Sequence, residues 1–339
     1  MACDYKGFDL NLFFQGVTGN KIYNALRERL EGNGTECSLS KDMLIWKKGP
    51  AWIGNRYDAQ ANIGQVRNTG LEVTLGHRHS IGKFNYSIDA NVSYIKNELT
   101  QLNGGDPIYG DRVVSKEGLP LFTFWGYKYQ GVYQSDEEAE AHLPGYTKDG
   151  SVNPYHAGDA IFADLNGDGK IDDNDKTDLG NSFPKLTYGL NLACDYKGFD
   201  LSLFFQGVTG NKIYNALRER LEGNGTECSL SKDMLDVWTA ENPTGTIANP
   251  KGNSDNMANS SRFIENGSYL RLKNLQLGYN FNKNLVQKIG LNKLRVYAQM
   301  SNVFTITKYN GYDPEVGSGV DYGNYPQART LLFGMNLAF

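Results

Sequence analysis

The 339-residue chain has no run of about 18 apolar residues, so no part of it reads as a transmembrane helix. It has no basic excess either. Its 34 Lys and Arg against 38 Asp and Glu leave a formal net charge of −4, which offers no electrostatic footprint for nucleic acid. Histidine and cysteine are scarce, at four each, and no CxxC spacing suggests zinc. Missing too are GxSxG, HExxH, a P-loop and a Cys–His motif, so the chain does not read as an enzyme. Asp-rich loops supply carboxylate pairs at many spacings, and spacing alone assigns no glycoside hydrolysis. The opening residues, Met1-Ala2-Cys3-Asp4-Tyr5, lack the basic and apolar regions of a signal peptide.

What is present is strand alternation at unusual length. Phe84, Tyr86, Ile88, Ala90, Val92 and Tyr94 share one face, while Asn85, Ser87, Asp89, Asn91 and Ser93 share the other. Leu71, Val73 and Leu75 alternate just before them, with a turn expected at Ile81-Gly82-Lys83. Leu186–Tyr196 and Phe199–Phe205 form a second hairpin around Lys197-Gly198, and further strands follow at 275–281, 294–300 and 331–339. Strands of about 9–11 residues with short turns at one end and long loops at the other have the dimensions of a membrane-spanning barrel. The chain's 39 Gly, 21 Tyr and 16 Phe, with a mean hydropathy of −0.51, suit that class, because lipid-facing and lumen-facing residues average out. The long connections fall near 96–118, 134–183, 208–260 and 306–327, and a short helix is expected over Asn211–Glu222. The alternative is a secreted, calcium-stabilised carbohydrate-binding β-sandwich, with one face in a core and one in water.

Residues 2–44 and 193–235 are the same 43-residue segment, differing only at Asn11 and Ser202. All four cysteines (Cys3, Cys37, Cys194, Cys228) lie in these copies, so their even number implies no disulfide framework. The first copy cuts through a strand, with Met1 standing where Leu192 precedes the second copy. It reads as a misplaced duplicate over 1–44, leaving 45–339 as the functional part.

Four local features carry chemistry. Asp164, Asn166, Asp168, Lys170 (through its carbonyl), Asp172 and Asp175 stand at positions 1, 3, 5, 7, 9 and 12 of a calcium-type loop, with Gly169 at position 6. The same residues also build a bare Asx-turn loop, and position 12 is Asp rather than the usual Glu. His77 and His79 share one face near a hairpin end; with no third ligand evident, they read as surface or lumen histidines, as do His142 and His156. Trp125, with Phe122, Phe124 and Tyr127, reads as part of an interfacial girdle or as a sugar-stacking platform. Phe339 ends the last alternating strand.

Several segments in order resemble the C-terminal part of the SusC/RagA family of TonB-dependent outer-membrane transporters from Bacteroidetes. They are NIGQVRNTGLEVTL (62–75), EGLPLFTFWGYKYQGVYQ (117–134), FADLNGDGKIDDND (162–175), NGSYLRLKNLQLGYNF (266–281), SNVFTITKYNGYDPE (301–315) and LLFGMNLAF (331–339). The resemblance implies an all-β, antiparallel transmembrane barrel of about 22 strands, of which this chain holds the C-terminal part with its long extracellular loops. It also implies a location in the outer membrane and uptake of oligosaccharides or peptides. The implied partners are a SusD-like surface lipoprotein, TonB and, through Phe339, the outer-membrane assembly machinery. Against the family pattern, no plug, TonB box or early strand is found, so the N-terminal region is expected to be missing.

Overall fold

The computed structural model describes residues 2–5, 8–18, 42–47, 59–102, 105–148, 151–152, 154–223 and 229–339, with side chains from residue 64 onward apart from 148 and 151–152. One antiparallel sheet of ten strands dominates. In chain order these are β1 (Ala2–Tyr5), β2 (Phe8–Thr18), β3 (Asp42–Lys47), β4 (Ala59–Ile81), β5 (Phe84–Leu102), β6 (Leu186–Tyr196), β7 (Phe199–Thr209), β8 (Tyr269–Asn280), β9 (Lys293–Thr307) and β10 (Thr330–Ala338). Each strand pairs with its chain neighbour from β4 onward; β2 lies on the free side of β4, and β3 pairs with the far end of β4. From β4 onward this is an antiparallel meander in which short turns alternate with long connections, the strand arrangement of a barrel wall.

The short turns follow from local chemistry. Lys197 and Gly198 both take positive φ, 49° and 95°, the pair of left-handed residues that a two-residue hairpin turn matched to strand twist demands. At the other ends β4 and β5 run for 23 and 19 residues, well beyond the 9–11 needed to cross a bilayer, and carry the sheet up into the loops.

The sheet's apolar face is uncovered. Leu75 is 51% exposed, Phe199 56% and Phe333 75%, and among the described residues no second sheet packs over them. A β-sandwich buries this face, so the sandwich alternative fails on this point. Most of the fully buried side chains lie elsewhere, in the three long connections above the sheet, with Leu99 of β5 and Arg271 of β8 buried where those strands enter that layer. Val132, Tyr133, Leu143, Tyr155 and Phe162 form one core there, and Phe124, Tyr214 and Phe263 a second.

The segment expected to be helical over Asn211–Glu222 divides in two. Lys212–Asn215 is a strand that pairs with Ile264–Asn266 and Val320–Asp321, and only Ala216–Leu221 (α1) is helical. Ile213 and Tyr214 are buried by those long-range pairings, which override the local 3.6-residue pattern. Asn215 then caps α1 by accepting the Arg218 N–H.

The strands that open the two copies pair alike, but their described ends differ: Asp42–Leu44 belong to β3, whereas their copies Asp233–Leu235 lie in a 3₁₀ turn. Ala2 pairs with Asn11 as Ala193 pairs with Ser202. Phe8, Asp9 and Leu10 face His77, Gly76 and Leu75 on β4, just as Phe199, Asp200 and Leu201 face Tyr279, Gly278 and Leu277 on β8. The matched faces explain this: both acceptor strands carry Leu-Gly followed by a ring, so the copy meets the same surface twice.

Candidate functional site

The polar face of the sheet is an ordered network. Arg78 reaches Asp89 at 3.2 Å across the β4–β5 hairpin, and the Asn85 amide donates to Asp195 at 2.8 Å. Arg295 grips Asp200 through two nitrogens, one at 2.9 Å, and Asn280 adds a third hydrogen bond to the same carboxylate at 3.0 Å. Gly278 lies between Asp200 and Arg295, and a Cβ there would sit 2.6 Å from both, so the grip depends on that glycine. Two clefts of about 660 and 630 Å³ open on this face; Asn85, Asp195 and Ser202 line the first, and Thr74, Asn91 and Gln206 the second. A third, of about 490 Å³, lies in the loop layer between Arg218, Glu222, Asp233, Asp236 and Tyr312. Charged and amide groups line one face of the sheet, and apolar side chains line the other.

Two buried ion-pair systems hold the loop layer rigid. Glu222, 1% exposed, accepts from Arg218 at 2.6 Å and from Arg262 at 2.7 Å. Arg271, 2% exposed, donates to Asp313 at 2.6 Å, Glu315 at 2.8 Å and Thr305 at 2.8 Å, and Lys273 also reaches Glu315. Burial works against an ionised Asp313, but the N–H groups of Gln327 and Glu315, together with Arg271, outweigh it and hold the carboxyl below its usual range. Neither system stood out in the sequence, although Arg271 and Asp313 lie in two of its family-like segments. An arginine in mid-strand, on the face opposite Leu270 and Leu272, was the available signal.

The Asp164–Asp175 loop closes on itself. The Asp164 carboxylate accepts the N–H groups of Gly167 at 2.6 Å and Gly169 at 2.8 Å, which hold its pKa below the usual value. Asn166 accepts from Asp168, and Asp168 from Lys170. Asp172 caps the 3₁₀ turn Asp173–Asp175. Asp175 is fully buried, accepting from Leu165 and Asp172. Among the described residues no group of three or more His, Cys, Asp or Glu is arranged to hold a metal ion. The oxygen donors are those calcium takes, with their carboxylates turned toward backbone N–H groups.

Trp125 and Tyr127 stand in a short strand of the loop layer, Thr123–Tyr127, away from the sheet's apolar face. Trp125 is half-buried beside Tyr109, with ring centres 6.4 Å apart and the Lys116 ammonium 5.8 Å above it. Tyr127 packs on Phe162 at 5.2 Å. Phe124 belongs to the loop core and Phe122 stands exposed at φ 55°, so the four aromatics are not one platform. His142 bonds the Tyr133 hydroxyl at 2.6 Å, and His156 sits 3.7 Å from Asp136. Phe339 is 86% exposed beyond the last strand.

No family model matches the chain. Its sequence is 33% identical over 323 residues to TonB-dependent receptor P3 of Formosa agariphila, covering 88% of this chain and 31% of that one. It is 30% identical over 358 residues to TonB-dependent receptor SusC of Bacteroides thetaiotaomicron, covering 98% of this chain and 33% of the relative. The solved structure of the RagAB peptide transporter superposes with a TM-score of 0.71 at 25% identity, over 88% of this chain and 32% of that one. The chain belongs with the TonB-dependent receptors of the SusC/RagA type. It spans about a third of the length of these relatives. A second RagAB structure, the peptide importer in its open-open state, matches the fold over 98% of this chain with a TM-score of 0.72. The relatives are receptors and transporters rather than enzymes, and the sheet is part of their barrel.

Proposed function

We propose that the chain forms the C-terminal wall and loop layer of an outer-membrane importer energised through TonB, carrying oligosaccharides past its polar face. The observation that carries this reading is the uncovered apolar face of a single ten-stranded sheet, set against an ion-paired polar face. Lipid is the one surrounding that accepts the first without a second layer, and the hydrogen-bonding groups of the second suit a hydroxyl-rich cargo. A peptide cargo is the second reading, favoured by the likeness to the RagAB peptide transporter. Binding of maltooligosaccharides and of mixed peptides to the chain in detergent separates the two. Saturable binding of the sugars supports the first, and binding of peptides alone overturns it.

Four finer assignments go with this proposal. A SusD-like lipoprotein would sit against the loop layer, which the two buried ion-pair systems stiffen enough to serve as a docking surface. Trp125 and Tyr127, half-buried in that layer, would stack on sugar rings. Calcium would bind the Asp164–Asp175 loop if its carboxylates exchanged backbone N–H partners for the ion, a change visible as calcium-dependent protection from proteolysis. Phe339 would be read by the assembly machinery, so Phe339→Ala should lower the amount reaching the membrane.

A further inference from the structure

The outward face of the sheet carries a row of rings at the turn end: Phe84 beside Tyr86 and Tyr196, Phe199 beside Tyr279, and Tyr279 beside Phe281. Phenyl and phenol rings are what a bilayer interface favours. Two members of the row are different in kind. His77 and His79 replace the apolar alternation of Leu71, Val73 and Leu75 with imidazoles, two residues apart on one strand and therefore on one face. Tyr86 stands opposite His79 on the neighbouring strand. The three ring centres form a closed triangle, with 6.2 Å between the imidazoles and 5.4 and 6.2 Å from them to the phenol.

We propose that His77, His79 and Tyr86 form a surface site for an imidazole-preferring divalent transition-metal ion, with Cu²⁺ bound most tightly. A metal–nitrogen bond of about 2.0–2.1 Å places two imidazoles on one ion with centres about 5–6 Å apart, close to the spacing already present. The paired strands β4 and β5 hold that spacing without a loop to order. Among the described side chains, the neighbouring outward positions, Leu75, Ile81, Phe84 and Ile88, carry no carboxylate for a hard cation. Two nitrogens and one phenol oxygen suit copper or zinc, and the general affinity order places copper first. The pair of histidines was visible in the sequence; its third member was not, because the Tyr86 ring comes beside it from the neighbouring strand of the hairpin.

The test is titration of the full chain in detergent with Cu²⁺ alone, followed by electron paramagnetic resonance. One equivalent should bind with coupling to two imidazole nitrogens, and the signal should persist in the His142→Asn, His156→Asn background. His77→Gln or His79→Gln should each weaken binding about tenfold or more, and Tyr86→Phe less. Unchanged binding in the His77→Gln, His79→Gln double variant overturns the proposal. So does a copper spectrum of the unaltered chain without imidazole coupling, a result that does not depend on any variant folding.

Discussion

Replacing Arg271 with Met should release the 308–329 connection from the sheet. Arg271 is the buried cation that fastens this loop, holding Asp313 at 2.6 Å and Glu315 at 2.8 Å from a position only 2% exposed. Breaking a buried ion pair by removing one partner costs about 3–5 kcal/mol, because the other charge is left uncompensated. Here the lower end applies. Asp313 keeps the N–H groups of Glu315 and Gln327, at 2.9 and 3.0 Å, and Glu315 keeps Lys273 at 2.9 Å. About 3 kcal/mol corresponds to roughly a hundredfold rise in the open population of the loop. Limited proteolysis or hydrogen exchange across 308–329 reads that population directly. Asp313→Ala alone should cost less than Arg271→Met, since Arg271 retains Glu315 and Thr305. The double variant should cost less than the two single changes added together. Opening that rises less than threefold in Arg271→Met, or costs that simply add, would refute the buried pair as the fastening.

Further outcomes follow from the same geometry. Because the folded-state pKa of Asp313 is depressed, its contribution to loop stability is full above the ordinary carboxylate value of about 3.9, and is lost as pH falls through the depressed one. The loop should therefore stay closed at pH 5 and open in stronger acid; opening between pH 5 and 7 would contradict this. Leu190→Arg, in mid-strand on the outward face, should cost about 2–4 kcal/mol in folding into lipid, while Asn191→Arg on the polar face costs little; equal costs would show that the faces are wrongly assigned. Asp175→Ala removes the buried acceptor for Leu165 and Asp172, and about 1–3 kcal/mol with it, seen as faster cleavage within 164–175. Gly158→Ala places a Cβ 2.4 Å from the Trp238 ring at a φ of 93°, and should shift the tryptophan emission of the folded chain.

The sheet was legible because its signal is local. A period of two runs through 84–94 and 186–196, and turns such as Lys197-Gly198 announce themselves in two residues. The loop layer was not. Its cores join Tyr133 to Tyr155 and Ala248, and Phe124 to Tyr214 and Phe263, across separations that no periodicity reports. For that reason FTFWGY read most naturally as an interfacial girdle, whereas the structure lifts it into the loops. Ile213 and Tyr214 show the same effect: a helical pattern yields when distant strands supply better partners. The repeat was obvious as text, but its identical pairing register on β4 and β8 needed coordinates, since the two acceptor strands share little beyond Leu-Gly and a ring.

The central claim is that one face of the sheet meets lipid and the other a water-filled passage. Spin labels placed singly at Tyr188→Cys, Gly189→Cys, Leu190→Cys, Asn191→Cys and Leu192→Cys, with the native cysteines replaced by serine, test it in bilayers. The account predicts strict alternation, with labels at 188, 190 and 192 relaxed by oxygen dissolved in lipid and those at 189 and 191 by a water-soluble nickel complex. Labels that respond alike on both faces would contradict it.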